Sequence, residues 1–230
     1  MSTTFEVYPG IKQIPTFQEI IDLSTKRLHK RLKEVHIYIK PDITVHFHFT
    51  DPEKSNPVDM MASSSWENIA YAFFSVGNIP GGTDTYFRTV EQLDWDCWGD
   101  HIAQEHSQLE KRAPTIRSCL ENGHYWYFRR SSGQPSIINL TYGLMAASLA
   151  ELTNGYIYSA DSAWDYERFP ATYKEFDAFY FRPEKTLSKG TKSWSKECLG
   201  HLPDEFIKNY PENTLPLNLR LRMLIAKWKK

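Results

Sequence analysis

Hydrophobic positions recur at helical spacing from Thr16 to Val35. Phe17, Ile20, Ile21, Leu28, Leu32 and Val35 share one face, and Lys26, Arg27, Lys30, Arg31 and Lys33 lie outside it. Thr16 followed three residues on by Glu19 has the form of a capping box. The period then changes. Ile37 and Ile39, and after them Val45, Phe47 and Phe49, alternate with polar residues, with Pro41-Asp42 between the two runs. That predicts a β-hairpin joining His36–Lys40 to Thr44–Thr50. Asp51–Ser65 is polar and without period, as a loop would be. Trp66–Phe74 is a short apolar run that fits helix or strand equally. Asn78–Thr83 (Asn-Ile-Pro-Gly-Gly-Thr) predicts a turn and Thr85–Val90 a strand.

Further along, the spacing predicts a helix over Trp98–Leu109 and a second helical piece from Pro114 through Leu120. Glu121-Asn-Gly123 supplies the stop. His124–Arg130 is strand-like. Leu140, Leu144, Met145, Leu149 and Leu152 mark the most apolar helix of the chain. Gly143, Ala146, Ala147 and Ala150 allow it close approach to a sheet, and Ser148 is the polar residue in its middle. Asn154-Gly155 ends it, and Tyr156–Ser159 follows as a short strand. Tyr173–Phe181 predicts an amphipathic helix, residues 185–215 look irregular, and Leu217–Trp228 predicts a last helix. With no internal repeat and no Gly/Ser linker, residues 1–230 are expected to form a single α+β domain, a mainly antiparallel sheet flanked by helices.

Composition narrows the classes. In 230 residues, 41% hydrophobic and 24% charged is a globular balance, and seven Trp supply a large aromatic core. A net charge of −1 argues against a protein that coats nucleic acid, so no nucleic-acid partner is expected. Cys97, Cys119 and Cys198 are too few and too scattered for a disulfide scaffold, and they suit a reducing compartment. The chain has no run of 18 apolar residues, and its first residues lack the order of a secretion signal, so a cytoplasmic protein with no membrane partner is expected.

Motifs for catalysis are weak. His46-Phe-His48 puts two imidazoles on one strand face without an evident third ligand. His101-Ile-Ala-Gln-Glu105-His106 does not match a zinc-protease helix, because histidines five apart sit about 140° from each other. Ser188-Lys-Gly-Thr-Lys192 has the composition of a phosphate loop and not its spacing. None of the cysteines has a local histidine partner. Asp94 and Asp96 are expected on a common strand face, and Asp161 and Asp165 form a second carboxylate pair. No catalytic residue, metal ligand or cofactor is assigned. A small metal-dependent hydrolase using Asp, Glu and His is the alternative class, and an effector chaperone or adaptor is a third.

Charge distribution says more. Residues 51–110 carry eleven acids against Lys54 and Arg88, a net −9, while residues 185–230 carry +6. The basic residues near the end lie beside Leu and Trp, as on an ordinary amphipathic helix. The acidic segment holds Trp66, Trp95 and Trp98. Carboxylates steer a basic protein partner in, and aromatic side chains anchor it. Asp94, Trp95, Asp96, Trp98, Asp100 and Glu105 are the expected partner-binding residues.

One stretch carries a resemblance. It runs from Trp126-Tyr-Phe-Arg-Arg-Ser-Ser-Gly-Gln-Pro-Ser, through Gly143-Leu-Met-Ala-Ala-Ser-Leu-Ala-Glu-Leu-Thr-Asn-Gly155, to Tyr158-Ser-Ala-Asp-Ser-Ala-Trp-Asp-Tyr-Glu-Arg-Phe-Pro170 and Tyr180-Phe-Arg-Pro183. This resembles bacterial immunity proteins of polymorphic-toxin and type VI secretion systems, nearest to the immunity protein 52 family, over roughly residues 80–185. The resemblance implies an α+β inhibitor of a toxin with a restriction-endonuclease-like nuclease domain. Physically, the segment after Gly155 reads as architecture: a turn closed by Asp161 and Asp165, with Trp164 plugging the core.

Overall fold

Thr16 caps the first helix as its sequence requires. Its hydroxyl accepts the Glu19 N–H at 3.1 Å, and the Glu19 carboxylate accepts the Thr16 N–H at 2.8 Å. The computed structural model describes residues 2–228 apart from 52, 54–56, 63–65, 67, 102–106 and 162. Its elements are β1 (Thr3–Tyr8), α1 (Phe17–Glu34), β2 (Ile43–Phe49), β3 (Ile69–Val76), β4 (Ile79–Thr89), α2 (Gln92–Asp96), α3 (Ser107–Leu120), β5 (His124–Arg130), α4 (Ser136–Leu152), β6 (Tyr156–Tyr158), β7 (Ala171–Thr172), α5 (Tyr173–Phe179), α6 (Lys189–Asn209) and α7 (Leu217–Trp228). A π-type turn over Cys97–His101 follows α2.

The strands form one antiparallel sheet in the order β2-β3-β4-β5-β1-β6-β7, so the chain is the α+β domain expected. The N-terminal strand, absent from the sequence expectation, lies between β5 and β6. Alternation assigns the two faces. Phe5 and Val7 of β1, Trp126 and Phe128 of β5 and Ala72 and Phe74 of β3 are buried on one face. α4 crosses that face. Its residues from Ser136 to Ala150 are all buried, because α1, α5 and α6 enclose it from the other side. Its small residues do what their size suggests. Gly143 lies under the Tyr180 ring, where an added Cβ would overlap the phenol. The Tyr180 hydroxyl in turn donates to the Asn139 carbonyl at 2.5 Å. Arg27 of α1 ties this layer together by pairing with Glu151 of α4 and Asp177 of α5.

Four expectations need correction. His36–Lys40 is not a strand. His36 takes φ 60°, and the Ile37 N–H donates to the Leu32 carbonyl at 2.8 Å, so the segment closes the end of α1. The partner of β2 is β3, which resolves Trp66–Phe74 as leading into a strand. The turn lies at Gly77-Asn78 and Ile79–Thr83 belong to β4; Gly77, at φ 50°, makes the tight reversal. Residues 185–215 are mostly helical. α6 buries Ser195, Cys198, Leu202 and Phe206 at spacings of three and four, a helical period carried partly by small residues and interrupted by Pro203. The helix predicted over Trp98–Leu109 is replaced by the π-type turn and the start of α3, and residues 102–106 lie outside the described residues. Of the polar stretch Asp51–Ser65, the described positions are irregular.

Candidate interaction surface

The second face of the sheet is built from the other half of each strand. β5 shows the rule: His124, Trp126, Phe128 and Arg130 are buried, while Tyr125, Tyr127 and Arg129 point the opposite way and are at least partly exposed. Pairing then aligns a row across the strands. His48 faces Tyr71 and stacks on it at 4.2 Å between ring centroids. Tyr71 meets Tyr86 at 5.6 Å, and Tyr86 pairs with Tyr127, again at 5.6 Å. Tyr127 pairs with Glu6, and Glu6 with Tyr158. Beside the row, Asp84 accepts from Arg129 at 2.6 Å, and the Arg88 and Arg129 guanidiniums lie 5.5 and 5.8 Å from the Tyr86 ring centroid. Partial burial raises the Tyr86 and Tyr127 phenols above their ordinary pKa, so both remain hydroxyl donors at neutral pH.

α2 and its π-type turn fold over the β1–β6 end of this face. Trp98 sits edge-on to Tyr8 and Tyr158, at 5.3 and 4.8 Å, and Tyr8 stacks on Tyr125 at 5.2 Å. Below them lies Glu6. It accepts the Tyr8 hydroxyl at 2.7 Å, and burial, with Asp161 and Asp94 nearby, pushes its carboxyl up to about 7. The same surroundings raise the Tyr8 and Tyr125 phenols.

The expected partner-binding residues are distributed as follows. Asp94 and Asp96 are not on a strand face. They occupy the single turn of α2, because the Asp94 carboxylate accepts the Glu91 N–H at 2.8 Å and starts a helix there. Asp94 also accepts the Tyr125 hydroxyl at 3.3 Å, and Asp96, exposed, accepts from Gln92 at 2.9 Å. Trp95 is half-buried at the border of the face. Trp98 is corrected: at 2% exposure it is a core residue that holds α2 down, and a partner cannot reach it in this conformation. Asp100 lies in the π-type turn, with its side chain outside the described residues, and Glu105 lies outside them altogether. Trp66 is also buried, tilted against Phe17 at 4.6 Å.

The segment after Gly155 has the geometry of a structural turn. An added Cβ on Gly155 would run into the Tyr8 carbonyl, so only glycine allows this approach of the chain to β1. Asp161 accepts the Thr4 N–H and the Ser159 hydroxyl, each at 3.1 Å. Asp165 is buried and accepts the Leu187 and Ser188 N–H groups at 2.7 and 3.2 Å. Trp164 is 3% exposed among Tyr180, Phe181 and Trp194. The carboxylates of this pair are thus engaged with backbone donors.

His46 and His48 both face solvent, and among the described residues no group of three His, Cys, Asp or Glu side chains could hold a metal ion. Burial raises the Cys119 thiol to about 11 and raises Cys198 as well, which disfavours a thiolate at either. No helix of the described residues is long and apolar enough to cross a membrane.

Sequence reasoning missed Glu6, Tyr71, Tyr86, Tyr125 and Tyr127. Their signal was alternation: in His-Tyr-Trp-Tyr-Phe-Arg-Arg every second residue combines an apolar body with a polar tip, which suits a half-exposed face. No protein-family model, curated protein or solved structure matches the chain.

Proposed function

We propose that this chain is an immunity-type inhibitor that binds and neutralises a secreted antibacterial toxin, and that it works by occupying the toxin rather than by chemistry of its own. The observation that carries the reading is the partly exposed row Tyr71–Tyr86–Tyr127 on the half of the sheet that no described helix packs across, bordered by the carboxylates of α2. Tyrosine and arginine on rigid strands are the side chains that dominate protein interfaces, since they bring large contact area at low entropic cost. Asp94 and Asp96 add negative charge at the rim. Toward a nuclease of the restriction-endonuclease-like kind, those carboxylates stand in for substrate phosphates at the basic groove, and the tyrosines fill the groove beside them. Neutralisation at nanomolar affinity requires about −12 kcal/mol, which an interface of about 1,600 Å² supplies when its anchors are well placed.

The test is rescue. The product of the gene adjacent to this one is expressed in a bacterial host with and without this chain. Restored growth, together with a stable complex of the two purified proteins, is expected. A toxic neighbour that this chain neither binds nor neutralises overturns the reading, as does substrate turnover by the isolated chain.

A further inference from the structure

α7 turns the wrong side inward for an ordinary amphipathic helix. Leu219 is 3% exposed and attaches the helix to the body, helped by Asn218, whose amide donates to the His36 carbonyl at 2.7 Å. The larger apolar stripe faces away. Leu217, Leu221, Leu224, Ile225 and Trp228 are 65, 49, 46, 58 and 91% exposed, and their spacing places them along one side of the helix. Half of the exposed large hydrophobic residues described for the chain belong to this one element. Isolated exposed leucines need no explanation, but a continuous stripe does.

Charge says what covers it. From Pro216 to Lys230 the sequence has Arg220, Arg222, Lys227, Lys229 and Lys230 and not one Asp or Glu. We infer that α7 is a peripheral membrane-binding helix that lays its leucine–tryptophan stripe into an anionic lipid surface, with Arg220 among the headgroups; Arg222 is held by Asp204 of α6 at 3.1 Å, and the lysines add positive charge in sequence. Twelve residues span about 18 Å, well short of the hydrocarbon core, so the helix adsorbs and does not cross. A symmetric pair of α7 helices from two copies would bring like charges together, and a protein groove would select for directional polar partners along the stripe, where Asn218 is the one uncharged polar side chain of the element. A lipid surface asks only for apolar depth and positive charge. The inference departs from the expectation of no membrane partner only in adding a peripheral contact, and it stands independently of the toxin reading.

Co-sedimentation of the full chain with vesicles tests it. Binding is expected to vesicles of phosphatidylcholine mixed with phosphatidylglycerol, and not to phosphatidylcholine alone. It should be lost when ionic strength rises from about 0.1 M to about 1 M, which shortens the Debye length from about 10 Å to about 3 Å. Arg220→Glu should lower partitioning roughly 25-fold, since each charge near such a surface is worth about fivefold. Leu221→Glu with Leu224→Glu should abolish it while leaving far-UV circular dichroism and the melting temperature unchanged, because both side chains are exposed. Equal binding to neutral vesicles, or none to anionic ones, overturns the inference. So does an oligomer in solution, or a captured acidic protein, that the Leu221/Leu224 variant releases while vesicles bind neither form.

Discussion

The Tyr8 hydroxyl donates to the Glu6 carboxylate at 2.7 Å across two residues of one strand, beneath the ring of Trp98. That bond favours the charged carboxylate, but burial outweighs it and holds the group near 7. A carboxyl whose folded pKa lies above its unfolded value of 4.5 keeps its proton longer in the folded chain. Stability on this account is greatest below pH 4.5 and falls as pH rises to about 7. The loss is on the order of 3 kcal/mol at most. Glu6→Gln keeps an acceptor for Tyr8 and removes the titration. Urea denaturation at pH 5 and pH 8 should show the variant gaining on the parent only at the higher pH.

Glu175 acts with the opposite sign. Arg112 donates to both of its oxygens, at 2.7 and 2.5 Å, and Thr172 adds two more bonds, which pulls the carboxyl down to about 2. Its contribution is complete above pH 4.5 and is lost as pH falls toward 2. The side chain is 45% exposed, so solvent screens the pair and its contribution is on the order of 1 kcal/mol or less. Glu175→Gln, which leaves the Arg112 bond to the Pro170 carbonyl at 2.8 Å in place, should therefore cost little at neutral pH and flatten the acid limb of a stability-against-pH curve, measured by thermal melts from pH 5 to pH 2.

Gly143 of α4 leaves no room for a side chain. Its neighbour is the Tyr180 ring, fixed by five aromatic contacts and by the bond to Asn139. Alanine is the better helix former in isolation, yet here it forces the ring out of place. Gly143→Ala should destabilise by about 1–3 kcal/mol in denaturant titration, as overpacking does. An unchanged midpoint would mean that the ring moves freely.

The sequence was legible where burial and period coincide. α1, β5 and α4 follow their apolar positions closely, and the capping box at Thr16 sets the start of α1. It was not legible where one signal serves two purposes. Ile37 and Ile39 alternate because both are buried under a helix end, not because they lie in a sheet. α6 was hidden because Ser195 and Cys198 carry half of its inward face, and neither counts as a strong hydrophobe. The tryptophans of the acidic segment were the least readable. Trp66, Trp95 and Trp98 look alike in sequence, yet two are core residues and one lies at the rim, a distinction made by what lies against each: Phe17 of α1 against Trp66, and Tyr8 and Tyr158 of β1 and β6 against Trp98.

That distinction separates two kinds of variant. Trp98→Ala removes a ring packed between Tyr8 and Tyr158 and should cost about 3–5 kcal/mol of stability, so any loss of partner binding follows from unfolding of the α2 corner. Tyr86→Ala and Tyr127→Ala remove rings that are only partly covered, and each should shift the melting temperature far less. If the open face is the inhibitory surface, each should weaken toxin binding by about 2 kcal/mol, roughly 30-fold, chiefly through faster dissociation. Converting Asp94, Asp96 and Asp100 to Lys should instead slow association, and the difference from the parent should shrink as salt is added. Surface plasmon resonance at two ionic strengths reads both rates. Parental kinetics for the tyrosine variants, with their folds intact, would remove the open face from the mechanism, and a salt-independent association rate would remove the carboxylates.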